Sequence, residues 1–388
     1  MPALPQVSET YQHVVGKNAS ESRELAQRNL VRLGLEHAST KYPFQLSGGM
    51  AQRLAFAATH AGGAKLMVAD EPTKGLDRDR IDEVISLLKA GLAEGGALLI
   101  ITHDMEVARR LGGDIMIMLK GKIIEAGSAE QVLNNPTHAY TRQLLDADPL
   151  NWKIHKPALP AVEPVVQVKN LAVDRGGRTL FQGLSFDVHP GEIVGVTGPS
   201  GCGKSTLGDV ILGLMDASEG NIVKRAGTSR VAFQKLFQDP VAAFPPTVTL
   251  AQNLADLVHL HGLDANRIGP LLKRLRLEQS LLNRLPGNVS GGELQRFSLL
   301  RVLLIDPVLI FADEPSSRLD LITQKEMLEL LVESAKESHT AVLLVSHDEA
   351  LIDAVSDQRI RLGSSEYPVS VHEMAKTPAQ SVRSAAEA

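Results

Sequence analysis

The chain has 388 residues, of which 44% are hydrophobic and 22% charged, and its formal net charge is −5. This composition is typical of a folded globular protein long enough for two domains, and it argues against a disordered or collagen-like chain. The mild negative charge gives no electrostatic reason to expect a nucleic-acid partner. No apolar run has the length of a membrane span, and the N-terminus lacks the features of a signal peptide, so we expect a cytoplasmic chain.

The first predicted elements are helices followed by short strands. Residues 8–37 have a helical pattern, in which residues 20–24 open a helix and Leu25, Leu30, Leu33 and Leu35 supply an apolar side. A Ser-Gly-Gly segment at residues 47–49 leads into an alanine-rich helix. Residues 65–69 and 97–102 are short apolar runs that predict buried strands, each ending in acidic or histidine side chains. Parallel sheets present ligands at such strand ends.

The same succession recurs later in the chain. Asp313 follows Asp70 by 243 positions, His347 follows His103 by 244, and a second Ser-Gly-Gly segment begins at Ser290, 243 positions after the first. Repetition at a constant offset indicates two homologous domains in tandem. We predict an α/β fold in which each domain has a mainly parallel sheet flanked by helices and a helical subdomain.

A phosphate-loop motif precedes the second repeat. It follows an apolar run that predicts a strand and continues into a helical pattern, in the complete spacing G-x-x-x-x-G-K-S. Its glycines allow backbone N–H groups to point at a phosphate, its lysine adds positive charge, and its serine offers a hydroxyl to Mg²⁺. The predicted nucleotide-binding residues are Gly198, Ser200, Gly201, Cys202, Gly203, Lys204, Ser205 and Thr206. Cys202 is the only cysteine, which excludes an intrachain disulfide and favours a small filler under the phosphate.

The first repeat begins too late to contain this motif, because the position 243 residues before Lys204 lies ahead of Met1. We expect a truncated first domain, from a gene-start error, a fragment or a degenerate gene, rather than an evolved single-site protein. The reason is that loss of the phosphate-loop strand would leave an internal sheet edge unpaired. The sequence leaves open whether one or two nucleotide sites work.

The predicted domain limits follow from the repeat and from composition. Residues 1–148 form the partial first domain, and residues 149–163 are a proline-rich linker. Residues 164–363 form the complete second domain, and residues 364–388 lose apolar periodicity and predict a loose tail.

Together these motifs resemble the nucleotide-binding domains of ABC ATPases over nearly the whole chain, apart from the linker and tail. The resemblance implies tandem P-loop NTPase domains that bind ATP and Mg²⁺ and hydrolyse ATP. It implies that Asp313 holds Mg²⁺ with Ser205, and that Gln238 contacts Mg²⁺, water and a transmembrane partner. It also implies Glu314 as the general base and His347 as the residue that contacts the γ-phosphate.

In this family an ATP site is shared between two domains. The resemblance implies that the phosphate loop of the second domain faces Ser47, Gly48 and Gly49 of the first, with Asp77 nearby, through intrachain or homodimeric pairing. Two departures stand out. The aromatic residue that usually stacks on adenine is missing, so Arg175 and Arg178 are the candidates for stacking on the base. Arg318 is a bulky residue in a segment where small residues are usual.

Residues 135–145 resemble the tail of the dipeptide, oligopeptide and nickel importer ATPases. This implies an ATPase subunit on the cytoplasmic face of the inner (plasma) membrane. It would energise uptake of peptides, nickel or a similar small solute through separate permease subunits, and indirectly with an extracytoplasmic solute-binding protein. The alternatives are an ATPase accessory to a cytoplasmic metabolic complex, similar to phosphonate-degradation components, and a catalytically impaired ABC remnant. The sequence does not define the transported solute.

Overall fold

The computed structural model describes residues 1–46, 48–73, 78–93, 95–152, 162–363 and 370–373. The chain divides into two compact units, Met1–Asp148 and Pro149–Ala388, and the boundary falls where the proline-rich segment begins. No helix within the described ranges is both long and apolar enough to cross a membrane.

The first unit is mainly helical in the part that the structure describes. Its helices are α1 (Ala3–His13), α2 (Ala19–Arg32), α3 (Gly48–Ala61), α4 (Arg78–Ala93), α5 (Met105–Leu111), α6 (Ala129–Asn134) and α7 (Ala139–Asp146). Its strands are β1 (Leu66–Asp70), β2 (Ala97–Ile101), β3 (Asp114–Leu119) and β4 (Lys122–Ser128). β1 and β2 pair in parallel, and β3 and β4 form a separate antiparallel pair.

The helical pattern predicted over residues 8–37, with a helix opening near Ser20, is confirmed, and the structure divides this region between two helices. Between the two helices Gly16 takes a φ of +79°, a conformation that glycine adopts at little cost. The side chain of Asn18 then accepts a hydrogen bond from the Glu21 N–H at 2.9 Å and caps the start of α2. Leu30 of α2 and Val7 of α1 are buried in a shared core.

The strands predicted at residues 65–69 and 97–102 exist, but their predicted burial is wrong for one face. One set of alternating side chains packs against α4: Met67, Ala69, Leu98 and Ile100. The other set faces solvent. Its exposed fractions are 55% for Leu66, 59% for Val68, 50% for Leu99 and 52% for Ile101. The first unit therefore carries an apolar sheet face in contact with solvent.

The second unit confirms the predicted α/β fold. Its helices are α8 (Lys204–Leu212), α9 (Leu250–His261), α10 (Ile268–Arg274), α11 (Gly291–Leu304), α12 (Leu321–Glu337) and α13 (Glu349–Val355). Its strands are β5 (Val166–Arg175), β6 (Arg178–Val188), β7 (Ile193–Thr197), β8 (Glu219–Lys224), β9 (Phe233–Leu236), β10 (Leu309–Asp313), β11 (Ala341–Val345), β12 (Gln358–Arg361) and β13 (Ser370–Glu373). The main sheet has the order β13-β12-β7-β11-β10-β9 and is parallel except for β13, while β6, β5 and β8 form an antiparallel sheet.

Both faces of the main sheet are buried, which explains the unbroken apolar runs of its central strands. On one face, Phe311 of β10 packs in a core with Leu207 of α8 and Phe181 of β6. On the other face, Ile310 packs in a core with Phe297 of α11. The carboxyl ends of β7, β10 and β11 are thereby fixed side by side.

Parts of the predicted linker and tail are ordered. Residues 149–151 form a short 3-10 turn that packs against α13, and Trp152 is buried in the core of the second unit. Residues 370–373 form β13, which pairs antiparallel with β12. The rest of the predicted tail, residues 364–369 and 374–388, and residues 153–161 of the predicted linker lie outside the described residues.

Replacing Gly208 by Ala is expected to lower the free energy of unfolding by about 1–3 kcal/mol, because overpacking a core forces its neighbours to shift. The new Cβ would lie 2.1 Å from the ring of Phe311. Gly269→Ala is the matched control in another helix, since its Cβ would meet nothing within 4 Å. Urea unfolding compares the two variants, and equal effects would contradict this account of the α8–β10 contact.

Candidate nucleotide site

The phosphate loop connects the end of β7 to the start of α8, and its backbone requires glycine. Gly198, Gly201 and Gly203 have φ values of +145°, +79° and +105°. A Cβ at Gly198 would lie 2.4 Å from the carbonyl oxygen of Leu362, and one at Gly203 would lie 3.1 Å from the ring of Phe181. The motif glycines are therefore demanded by the path of the chain around a concave loop.

Lys204 is the first residue of α8, and backbone carbonyl groups of the phosphate loop hold its side chain over the loop. Its Nζ donates hydrogen bonds to the carbonyl oxygens of Gly198 at 2.8 Å and Pro199 at 3.2 Å. Only 6% of Lys204 is exposed. A buried ammonium group next to a helix N-terminus creates a positive site that suits a phosphate group.

The remaining loop residues differ in exposure. Ser200 and Ser205 are exposed, whereas Thr206 is buried. Cys202 is also buried in the core, and burial raises the pKa of its thiol. A buried neutral thiol is unreactive, which agrees with the predicted role as a small filler.

A pair of oxygen donors lies at the edge of the loop. Ser205 Oγ donates to Asp313 Oδ1 at 3.1 Å. Burial at the end of β10 raises the pKa of the Asp313 carboxyl, against the opposing effects of the Ser205 hydrogen bond and the nearby Lys235. A hydroxyl and a carboxylate are the hard oxygen ligands that Mg²⁺ prefers, so the residues present fit this ion.

Glu314 lies at the centre of the catalytic residues that the sequence predicts. Its Oε1 is 2.6 Å from His347 Nε2, and its Oε2 accepts a hydrogen bond from Gln238 Nε2 at 2.9 Å. The Glu314 backbone has a φ of +47° and its N–H donates to the carbonyl of Val345 at 3.1 Å. Such a strained conformation is uncommon outside glycine and concentrates at functional sites.

Two charged contacts near this centre were not predicted from the sequence. Lys235 Nζ lies 2.7 Å from Asp209 Oδ1 and 3.8 Å from Asp313 Oδ2, so a half-buried cation faces the predicted magnesium ligand. Arg318 Nη1 lies 2.8 Å from Asp239 Oδ2, beside Gln238. No short motif marks either pair, because the partners meet only through tertiary packing.

The first unit repeats part of this geometry. His103 Nδ1 lies 2.7 Å from Glu71 Oε1, and Glu71 has a φ of +47°, as Glu314 does. Gly48 and Gly49 form the start of α3. The predicted residues Ser47 and Asp77 lie outside the described residues.

The order of buried strand, glycine loop and helix, with an oxygen pair at its edge, defines the second unit as a P-loop nucleotide-binding domain. The profile of the family described as ABC transporter matches residues 2–74 and 181–317. The chain belongs to this family, whose cofactors are ATP and Mg²⁺.

Two curated relatives are similar over most of the chain. The glutathione import ATP-binding protein GsiA of Salmonella typhi is 31% identical over 90% of this chain and 65% of its own length. The peptidoglycan transport ATP-binding protein YejF of Agrobacterium fabrum is 32% identical over 92% of this chain and 70% of its own length. The chain thus spans about 65% of the length of the GsiA relative.

Solved structures agree on the fold. The archaeal ribosome recycling factor aABCE1, solved in complex with the ribosomal stalk protein aP1, matches with a TM-score of 0.67. The match covers 93% of this chain and 68% of that chain at 22% identity. The structure of RNase-L Inhibitor matches with a TM-score of 0.64, also at 22% identity, over 93% of this chain and 68% of that one.

Replacing Asp313 by Asn is expected to raise the thermal unfolding midpoint without Mg²⁺ at neutral pH. Because burial raises the carboxyl pKa in the folded state, the ionised carboxylate destabilises the fold. This penalty is absent below the unfolded pKa, grows as the pH rises from the unfolded pKa to the folded pKa, and is complete above it, so the gain should vanish in acid. Calorimetry across pH measures it, with the exposed Asp306→Asn as control.

The same substitution should weaken the binding of Mg²⁺–ATP by at least about tenfold, since a charged oxygen ligand is lost. For the unmodified chain, affinity should rise with pH through the raised pKa of Asp313, because only the carboxylate form binds the cation well. An Asp313→Asn variant with unchanged affinity would contradict the assignment of this residue to Mg²⁺.

Proposed function

We propose that this chain is an ATP-hydrolysing subunit of an ABC importer. The observation that carries the proposal is the position of Glu314, hydrogen-bonded to Gln238 on one oxygen and 2.6 Å from His347 on the other. A carboxylate held in this way is oriented to accept a proton, as a general base must be. The Ser205–Asp313 pair lies beside it on the neighbouring chain segments.

The residues would share the work as follows. Lys204 and the loop N–H groups bind the phosphates and neutralise charge. Ser205 and Asp313 would hold Mg²⁺, which would polarise the phosphate oxygens. Glu314 takes the proton of the attacking water, and Gln238 and His347 keep its carboxylate in place.

The proposed transport role is import of peptides or a similar small solute through separate permease subunits. The names of the relatives, which refer to glutathione import and peptidoglycan transport, support this class. Support also comes from the segment that resembles the peptide importer tail. Glu125 accepts hydrogen bonds from the N–H groups of Thr137 at 2.7 Å and His138 at 3.1 Å, and His138 Nδ1 accepts one from Tyr140 N at 3.1 Å. This segment is a capped turn that starts α7.

Glu125→Gln is expected to loosen this turn, because its backbone hydrogen bonds lower the carboxyl pKa from 4.5 to about 2. Because the pKa is lower in the folded state, the ionised Glu125 carboxylate stabilises the turn above the unfolded pKa. This stabilisation is lost as the pH falls from 4.5 towards 2. Hydrogen exchange at neutral pH should show faster exchange of the Thr137 and His138 amides in the variant. The exposed Glu130→Gln is the control, and equal exchange in both variants would contradict this role.

A permease would dock at the cleft beside Gln238. This cleft has a volume of about 460 Å³, and its lining includes Lys235, Phe237, Leu257, Leu260 and Arg301. Phe237 and Leu260 are 43% and 74% exposed, which is costly for large apolar side chains unless a partner covers them. A peripheral position on the cytoplasmic face of the membrane, with indirect dependence on a solute-binding protein, follows from this docking. ATPase domains would pair within the chain or between two copies.

Purification of the tagged chain from its host tests this proposal. We expect vanadate-sensitive ATPase activity and co-purification with permease subunits. Leu260→Asp should lose the permeases, whereas Leu214→Asp, a substitution at a residue 63% exposed outside the cleft lining, should keep them. Co-purification with soluble enzymes would favour the metabolic-complex alternative. Absence of ATP binding would favour the catalytically impaired remnant.

A further inference from the structure

The two segments that meet at the proposed general base follow neighbouring strands. We call residues 237–240, which follow β9, the glutamine segment, and residues 314–320, which follow β10, the arginine segment. The pairing of these two strands ends at Leu236 and Ala312. Beyond this point no ladder hydrogen bond of the described sheet joins the two segments. Side-chain contacts therefore decide how the segments are placed relative to each other.

Gln238 makes the first of these contacts. Its Nε2 donates hydrogen bonds to Glu314 Oε2 at 2.9 Å and to Ser317 Oγ at 3.2 Å. Gln238 is an exposed residue, so packing does not enclose its side chain. Fixing a glutamine side chain costs conformational entropy. The bond to Glu314 therefore depends on a backbone that already places Gln238 within reach.

The next residue of the glutamine segment makes the second contact. Asp239 Oδ2 lies 2.8 Å from Arg318 Nη1, and Asp239 Oδ1 accepts a hydrogen bond from the Val241 N–H at 3.1 Å. Each oxygen of this carboxylate thus has its own partner. Two successive residues of one segment contact two successive residues of the other, Gln238 with Ser317 and Asp239 with Arg318.

The arginine segment is firmly anchored on both sides of Arg318. Ser316 and Leu319 are only 5% and 9% exposed, and Leu319 belongs to the core of the second unit. Ser317 and Arg318 lie between these two anchors and are exposed. The backbone that carries the guanidinium is therefore fixed by packing, and the guanidinium can hold the carboxylate of Asp239 in place.

We propose that Arg318 is a positioning residue, which holds Asp239 and thereby keeps Gln238 on the carboxylate of Glu314. The proposal rests on the proposed ATPase function for the role of Glu314. Arg318 acts through Asp239 and takes no part in proton transfer. The side chains of the pair are 58% and 38% exposed, so the pair contributes little to global stability. Its effect falls on the occupancy of one hydrogen bond in the site.

The direct test is proton exchange of the Gln238 side-chain amide, measured by NMR on the ¹⁵N-labelled full chain without nucleotide. The signal is assigned by its loss in Gln238→Ala. We expect Arg318→Ala to speed this exchange about two- to fivefold, the range that an exposed ion pair supports. Arg318→Lys keeps the charge and should exchange nearly as slowly as the unmodified chain. Arg318→Glu repels Asp239 and should exchange faster than Arg318→Ala.

A double-variant comparison shows whether Arg318 acts through Asp239. Asp239→Asn keeps an oxygen for the Val241 N–H but removes the charge. In this background Arg318→Ala and Arg318→Glu should have little further effect on the exchange. Salt of about 1 M should also remove most of the difference between Arg318→Ala and the unmodified chain, because ions screen exposed pairs. Effects of Arg318 that persist fully in the Asp239→Asn chain would overturn this route.

Kinetics on the same preparations give the second readout. Arg318→Ala should lower kcat for ATP hydrolysis about two- to fivefold and leave the dissociation constant of ATP unchanged. Arg274→Ala is the control, because Arg274 Nη2 forms an ion pair with Glu337 Oε2 at 2.6 Å between α10 and the end of α12. It should change neither kcat nor the exchange of the Gln238 amide.

The two readouts separate this proposal from the proposed function. Equal exchange of the Gln238 amide in Arg318→Ala and in the unmodified chain would overturn the positioning role. An unmodified chain that binds ATP without hydrolysing it would overturn the proposed function. The exchange comparison would still decide whether Arg318 positions Gln238, since it is made without nucleotide.

Discussion

The Glu314→Gln variant is expected to hydrolyse ATP at least about 100-fold more slowly than the unmodified chain, with ATP binding retained. The amide keeps the size of the side chain and can still accept a hydrogen bond from Gln238, but it cannot take a proton from water. General-base catalysis contributes on the order of 10²–10⁴ in rate, so its loss should dominate the kinetics. Steady-state phosphate release and equilibrium ATP binding, measured on the same preparation, separate the two effects.

The control for this prediction is Glu333→Gln, an exposed glutamate on α12 away from the loop. It should leave both hydrolysis and binding unchanged. If Glu314→Gln hydrolysed ATP at the rate of this control, Glu314 would not be the base. If it lost ATP binding as well, the substitution would have disturbed the loop rather than the chemistry.

Replacing Lys204 by Ala is expected to weaken ATP binding by about 100-fold or more. Each hydrogen bond to a charged group is worth about 1.5–3 kcal/mol, and Lys204 can offer two of them to the phosphates. A loss of about 3 kcal/mol corresponds to roughly 100-fold in the dissociation constant. Isothermal titration with Mg²⁺–ATP measures it directly.

Lys273→Ala, which removes an exposed lysine of α10, has the same change in net charge and should bind ATP normally. The comparison matters because Lys204 also closes the empty loop through its bonds to Gly198 and Pro199. Thermal unfolding of both variants shows whether the loop alone is loosened. Normal ATP affinity in Lys204→Ala would exclude this loop as the phosphate site.

Local sequence patterns predicted the parts of the site that depend on local geometry. Positive φ values and close contacts require glycine in the loop, so the glycine spacing in the sequence is enough to predict the loop. The apolar runs that precede Glu314 and His347 placed both residues at strand ends, and the repeat showed the same arrangement in the first domain. The structure then places these two side chains 2.6 Å apart.

Local sequence patterns could not predict contacts between segments that are distant in the sequence. Lys235 faces Asp313 only because β9 lies next to β10, and a lone lysine in a strand gives no signal of such a partner. Likewise, the apolar runs of β1 and β10 look alike, yet Val68 is exposed and Phe311 is buried. Burial depends on which element covers a strand, and that is a tertiary property.

Vanadate trapping tests the central claim most directly, because vanadate takes the place of the γ-phosphate and ultraviolet light then cleaves the backbone that contacts it. We expect cleavage within residues 198–206 of the Mg²⁺–ATP-treated chain, and no cleavage in Lys204→Ala. Cleavage elsewhere in the chain, or cleavage that persists without Lys204, would contradict the assignment of ATP hydrolysis to the phosphate loop of the second unit.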